Sequence, residues 1–153
     1  MVRLLSLILT LIYTSSTFAG NITPINSDAL KTILLKQNTE KFIFFFTSWC
    51  MYCKPFTLSN DLPRDKIIFV AIDENVSALE KFMPSMSYDV YHIIPTQNYS
   101  NLIQLSKDLN IKFATLNQNN ELSWGVPYII HINQNNKAIT DNISVEDFSK
   151  LIK

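Results

Sequence analysis

An α/β fold is predicted for this chain by three observations. Phe42-Ile-Phe-Phe-Phe46 and Ile67-Ile-Phe-Val-Ala-Ile72 are short, uninterrupted apolar runs without glycine, the pattern of strands buried on both faces. Segments with apolar residues at helical spacing alternate with them, so strand, helix, strand in that order predicts a parallel βαβ unit. The length of 153 residues and 47% hydrophobic content suit one globular domain, and neither repeat nor linker divides it.

The first 19 residues stand apart. Arg3 is their only charge, Leu4 to Tyr13 is an apolar stretch, and Thr17-Phe18-Ala19 closes it with small residues at the first and third positions. This reads as a secretory signal peptide over 1–19, cut after Ala19, ahead of a mature domain over 20–153. An uncleaved anchor is the competing reading. It needs about 20 apolar residues, and Ser/Thr interrupt this run from Thr14.

In the domain itself, Ser27 is placed to cap a helix carrying Leu30, Ile33 and Leu34 on one face and ending near Asn38. The strand Phe42 to Thr47 follows and hands over to Trp49-Cys50-Met51-Tyr52-Cys53-Lys54, which reads as the start of a second helix. Pro55 should kink or restart that helix, and Asp61-Leu62-Pro63 should end it. After the Ile67–Ile72 strand, Asp73 or Asn75 opens a helix with Val76, Leu79, Phe82 and Met83 on one face, stopped by Pro84.

Tyr88 to Ile94 reads as a third strand, and Ser100 as the cap of a helix bearing Leu102, Leu105 and Leu109. Residues 111–123 hold two half-apolar pieces around Asn117-Gln-Asn-Asn120, a β-hairpin pattern. Gly125-Val126-Pro127 opens an apolar strand running to Asn133. An Asn-rich turn and an edge strand Lys137 to Thr140 come next, and Ser144-Val-Glu-Asp147 is a capping box for the last helix.

Charge excludes some functions. With 13 basic and 13 acidic side chains, no basic surplus exists to neutralise phosphates, so nucleic acid is not expected as a partner. Cys50 and Cys53 are the only cysteines. At this spacing one thiolate can be resolved by the other into a small disulfide ring, and a helix start favours a thiolate. Export would place the pair in oxidising surroundings, as a structural disulfide or an exchanging one. A zinc site would need two more ligands. The histidines, His92 and His131, lie 39 residues apart without metal-finger spacing, and read as packing or surface residues.

The order aromatic strand, Trp-Cys-x-x-Cys-Lys, βα unit, then Gly-Val-Pro before an apolar strand, an edge strand and a final helix resembles the thioredoxin-like fold, over residues 27 to 153. The longer middle of the chain is similar to the exported TlpA/ResA branch. The resemblance implies a central mixed sheet of about four to five strands with helices on both faces. It implies catalysis by the two cysteines without a cofactor: Cys50 as the exposed attacking thiolate and Cys53 as the buried resolving thiol. It also implies a cis Val126–Pro127 bond packed against the disulfide and a substrate chain bound by Val126, Pro127, Trp49, Met51 and Tyr52. Partners would be exported proteins with thiols or disulfides and a membrane or exported redox partner, most readily in a periplasm. The branch favours a reductase. An oxidant of the DsbA kind, a helper of a secretion or conjugation apparatus, and a non-catalytic binding protein using the Val126-Pro127 groove or the 111–123 excursion remain as alternatives.

One departure bears on mechanism. Thioredoxins carry a buried acid six residues before the first cysteine, and that position here is Phe44. The dipeptide Met51-Tyr52 is neither of the common reductase or oxidase pairs.

Overall fold

A computed structural model describes residues 20–152 except 37, 60, 96, 98, 117, 120 and 121. The expected leader over 1–19 lies outside the described residues. Element order is β1 (Ile22–Pro24), α1 (Ser27–Lys36), β2 (Lys41–Phe46), α2 (Lys54–Thr57), β3 (Ile67–Ala71) and α3 (Val76–Phe82), followed by β4 (Val90–His92), α4 (Tyr99–Leu109), β5 (Ala114–Leu116), β6 (Leu122–Trp124), β7 (Tyr128–Ile132), β8 (Ala138–Thr140) and α5 (Val145–Leu151).

Six strands form one mixed sheet in the order β1-β4-β3-β2-β7-β8, and β5 and β6 pair separately as an antiparallel hairpin. The two continuous apolar runs are the sheet's centre: β2 runs parallel to β3, with Phe44 opposite Phe69, and antiparallel to β7, with Phe44 opposite Ile129. Because neighbouring residues of a strand point to opposite faces, β2 feeds two cores. Phe42, Phe44 and Phe46 pack with Phe56, Leu79, Met83 and Phe148 on one face. Ile43 and Phe45 pack with Leu30, Leu34, Leu102, Leu105 and Phe113 on the other. Helices therefore cover both faces, as the resemblance implied.

Several boundaries differ from the sequence expectation, each for a local reason. The sheet has six strands rather than four to five, because Ile22–Pro24 adds to β4 as a parallel edge strand where a plain lead-in was expected. Gly20 enters that edge at close quarters: its N–H donates to Met86 O at 3.1 Å, and a Cβ there would meet Tyr88 O at 1.7 Å, which only glycine avoids. The cap of α1 is Asn26, whose Oδ1 accepts from Ala29 N–H at 2.8 Å. Ser27 is the helix's first residue instead, with its Oγ buried and unpaired. Asn75 caps α3 through Ser77 N–H at 2.9 Å, which releases Asp73 for another contact.

The third strand is confined to Val90–His92, and α4 starts at Tyr99, so Ser100 lies inside the helix rather than at its cap. The 111–123 stretch does contain the hairpin β5–β6, although most of its turn lies outside the described residues. Ser144 accepts from Asp147 N–H at 3.1 Å, the expected cap of α5.

Candidate functional site

The site is built where β2 ends. Every residue from Lys41 to Thr47 is buried, so the strand has one fixed depth and register and delivers Ser48-Trp49-Cys50 to the carboxyl end of the parallel strands. There Cys50 N–H donates to Thr47 O at 3.1 Å and Cys53 N–H to Cys50 O at 3.2 Å, closing two successive turns. Cys50 and Cys53 form a disulfide with an S–S distance of 2.02 Å and Cα atoms 5.3 Å apart.

The expected helix start is reduced to a turn. Pro55 contributes to this: in a continuous helix its ring would meet the carbonyl of residue 51 and it lacks an N–H, which disfavours an unbroken helix from 51 onward. Cys53 is instead the N-cap of α2, accepting Phe56 N–H and Thr57 N–H at 3.0 Å each, and α2 stops at Thr57 rather than near Asp61. A single turn offers the sulfurs a much smaller dipole than a full helix would.

A second difference concerns exposure. Cys50 was expected exposed, yet it is 4% accessible against 1% for Cys53. Each sulfur covers the other in the disulfide, and both belong to the apolar cluster under the sheet. Access is directed by the neighbours: Trp49, Met51 and Tyr52 are 67%, 69% and 78% exposed, an apolar rim on a turn where such residues gain nothing from burial.

The Val126–Pro127 bond is cis, as the resemblance implied. Both residues are half-buried, and Val126 packs onto the cluster that contains Cys50 and Cys53. Gly125 is exposed, and an added Cβ would meet no atom within 4 Å, so no close approach explains the glycine. Beside this loop lies a cavity of about 440 Å³ lined by Phe113, Thr115, Trp124, Val126, Pro127 and Tyr128. A cavity of about 470 Å³ by Gly20, Arg64 and Tyr88 includes none of the cysteine-site residues.

Tyr128, immediately after Pro127, anchors the loop. Its hydroxyl donates to Asp141 Oδ2 at 2.9 Å and accepts Lys112 N–H at 3.0 Å, while Phe113 packs on its ring at 5.3 Å. Burial, reinforced by the Asp141 hydrogen bond, pushes the Tyr128 phenol well above its ordinary value. A phenol raised on folding contributes stability that is present below the unfolded value, near pH 10, and is lost as pH rises past it. Tyr128→Phe is therefore expected to lose about 1 kcal/mol at pH 7 and to show a shallower decline in urea stability than the parent between pH 10 and 11. Equal declines for the two proteins would contradict this assignment.

Asp73, one of the two caps expected for α3, and His92, expected as a packing or surface residue, meet beside the cysteine turn. Asp73, just past β3, accepts from Ser48 N–H at 3.1 Å and from Ser48 Oγ–H at 2.7 Å. His92, 3% exposed, holds Nε2 at 2.8 Å from Asp73 O; a carbonyl only accepts, so Nε2 carries the hydrogen. Phe44 is fully buried among aromatic rings, and no carboxylate replaces it at that depth of β2. His131 stacks on Phe42 with centroids 4.5 Å apart and meets Glu40 Oε1 at 2.5 Å, remote in sequence from the cysteines. Among the described residues no three His, Cys, Asp or Glu side chains gather to hold a metal ion.

No family model and no curated protein matches the chain. Solved structures do. A thiol:disulfide interchange protein of the thioredoxin family from Chlorobium tepidum is 16% identical, covering 80% of this chain and 81% of its own, with a TM-score of 0.47. StoA from Bacillus subtilis is 15% identical over 76% and 84% of the two chains, with a TM-score of 0.45. A secreted Mycobacterium tuberculosis disulfide oxidoreductase homologous to Escherichia coli DsbE is 13% identical over 76% and 81%, also at 0.45. The chemistry rests on this chain's own turn and loop.

Proposed function

We propose that the chain is an exported thiol:disulfide oxidoreductase that works through Cys50 and Cys53, with a bias toward reduction of protein substrates. The observation that carries the reading is the Cys50–Cys53 disulfide in a surface turn, ringed by the exposed Trp49, Met51 and Tyr52. A purely structural role is poorly served by this bond: a ring closed across three residues removes less chain entropy than the ~3 kcal/mol of a 15-residue loop. An apolar rim around it suits a polypeptide partner.

In the reducing direction, Cys50, the more accessible of the pair, attacks one sulfur of a substrate disulfide as its thiolate. The substrate S–S bond breaks, its other sulfur leaves as a thiolate and takes a proton, and a mixed disulfide joins Cys50 to the substrate. Cys53 then gives up its proton, its thiolate displaces the substrate sulfur from Cys50, and the Cys50–Cys53 bond re-forms. Two electrons have passed to the substrate. Val126, which packs onto the cluster containing the pair, and Pro127 after it would carry the substrate chain, and the adjoining cavity would take a neighbouring side chain.

The reading extends to targeting. Residues 1–19 act as a cleaved leader and residues 20–153 as the mature domain, in a periplasmic or comparable exported setting, with a membrane or exported protein returning the pair to the dithiol. Among the described residues no helix is long and apolar enough to cross a membrane.

Equilibration of the folded protein with glutathione and dithiothreitol redox buffers tests the proposal. Exchange is expected, with a reduction potential nearer about −270 mV than about −120 mV. A value near −120 mV would reverse the direction, and a pair that does not exchange in the folded protein would remove the enzyme altogether.

A further inference from the structure

Asp73 is the only buried acidic side chain among the described residues, at 2% exposure. Its carboxylate accepts from the N–H and the Oγ–H of Ser48, two residues before Cys50. Alignment of the strand ends does not depend on this carboxylate: Ile72 N–H already donates to Phe46 O at 2.8 Å, and the His92 ring holds the Asp73 carbonyl. An amide would still offer Ser48 one acceptor oxygen, whereas burying a carboxylate carries a desolvation penalty. What the acid adds over an amide is charge, beside the redox turn.

An anion held in a partly buried turn opposes a second anion nearby, and a less stable Cys50 thiolate makes the dithiol a stronger electron donor. The counter-charge on this stretch, Lys54, lies beyond the second cysteine and is partly exposed. We propose that Asp73 is a tuning residue of the Cys50–Cys53 pair: fixed by Ser48, its charge disfavours the Cys50 thiolate and biases the dithiol toward giving its electron pair to a substrate disulfide. The inference rests on the oxidoreductase reading and supplies that reading with a physical source for its direction. It also relocates the acid of this site, from the strand position that Phe44 occupies to the end of the neighbouring strand.

The test compares the parent protein with Asp73→Asn and Ser48→Ala at pH 7, by equilibrium with the glutathione pair, by the rate of Cys50 alkylation in the reduced protein, and by melting temperature. Asp73→Asn keeps an acceptor and removes the charge. It is expected to shift the equilibrium about tenfold toward the dithiol, a potential about 30 mV less negative, with faster alkylation. Ser48→Ala removes the hydroxyl that partly neutralises the carboxylate, and should move the equilibrium about threefold the other way with slower alkylation.

A purely structural part would lower both melting temperatures without opposite shifts in potential. Equilibria within twofold of the parent, or both variants moving in one direction, overturn the proposal. Should Asp73→Asn fail to fold, Ser48→Ala decides alone: a shift toward the disulfide supports the proposal, and no shift or the reverse sinks it. The two levels also separate. If the parent pair exchanges with glutathione and the variants behave as it does, only the tuning role falls; if the parent does not exchange, the oxidoreductase reading falls first.

Discussion

Phe44→Asp is expected to leave the chain unfolded rather than to supply an acid to Cys53. Phe44 is fully buried, with ring centroids 5.7 Å from Phe56, 5.6 Å from Phe69 and 5.6 Å from Phe148. Loss of the aromatic side chain alone is worth about 3–5 kcal/mol. A carboxylate in its place would be surrounded by hydrocarbon, and would add several kcal/mol more whether it stays charged or takes up a proton. Together these are comparable to the whole margin of about 5–15 kcal/mol that ordinarily separates folded from unfolded states. Phe44→Leu, which keeps an apolar side chain, is expected to fold with a loss of about 1–2 kcal/mol. Circular dichroism and urea unfolding of the two variants settle the point. A cooperative Phe44→Asp transition close to that of the parent, with faster disulfide exchange, would show that the cluster tolerates an acid and that the aromatic core is not what excludes one.

That cluster also shows what the sequence makes legible. β2, β3 and β7 are short, largely apolar runs, the pattern of strands buried on both faces, so their existence is legible locally, and the strand-helix-strand order predicts the parallel β2–β3 pair. Asn75 and Ser144 cap their helices through bonds spanning two or three residues, which local pattern can reveal. The cysteine pair and Pro127 are legible because only cysteines form such a disulfide and a cis peptide bond is essentially confined to X-Pro.

Features that depended on distant partners were not legible. β1 is three residues long, and its strand character comes from β4, whose register places Ile22 opposite Val90 across 68 positions of sequence. Lys41 looks like a flanking charge, yet it begins β2 at 1% exposure because its Nζ reaches Leu34 O, at the end of α1, at 2.8 Å. Asp73 looked like a cap for the helix after it; the fold turns it to Ser48, which the chain alone cannot show. The short α2 is a different case. The clash of Pro55 with residue 51 was available from spacing, and it limits the dipole that the cysteines can draw on.

Cys53→Ala is expected to stop turnover while leaving the first chemical step intact. Cys53 is 1% exposed and behaves as a small apolar side chain when reduced, so alanine preserves the packing approximately. Cys50 can still attack a substrate disulfide, but the thiol that would resolve the adduct is gone. In the parent that thiol is held on a Cα only 5.3 Å away, within the same turn, and well-placed intramolecular groups react with effective concentrations of about 10⁵ M and above. Millimolar thiol in solution cannot match this, so turnover should fall at least about a thousandfold and a covalent adduct should accumulate. Mass spectrometry under non-reducing conditions should find protein plus one substrate chain, released by dithiothreitol. With Cys50 as the proposed attacking thiol, Cys50→Ala should form no such adduct. Adducts formed equally by both variants would exchange the roles of the cysteines, and near-parental turnover by Cys53→Ala would mean that the pair does not work as attacker and resolver.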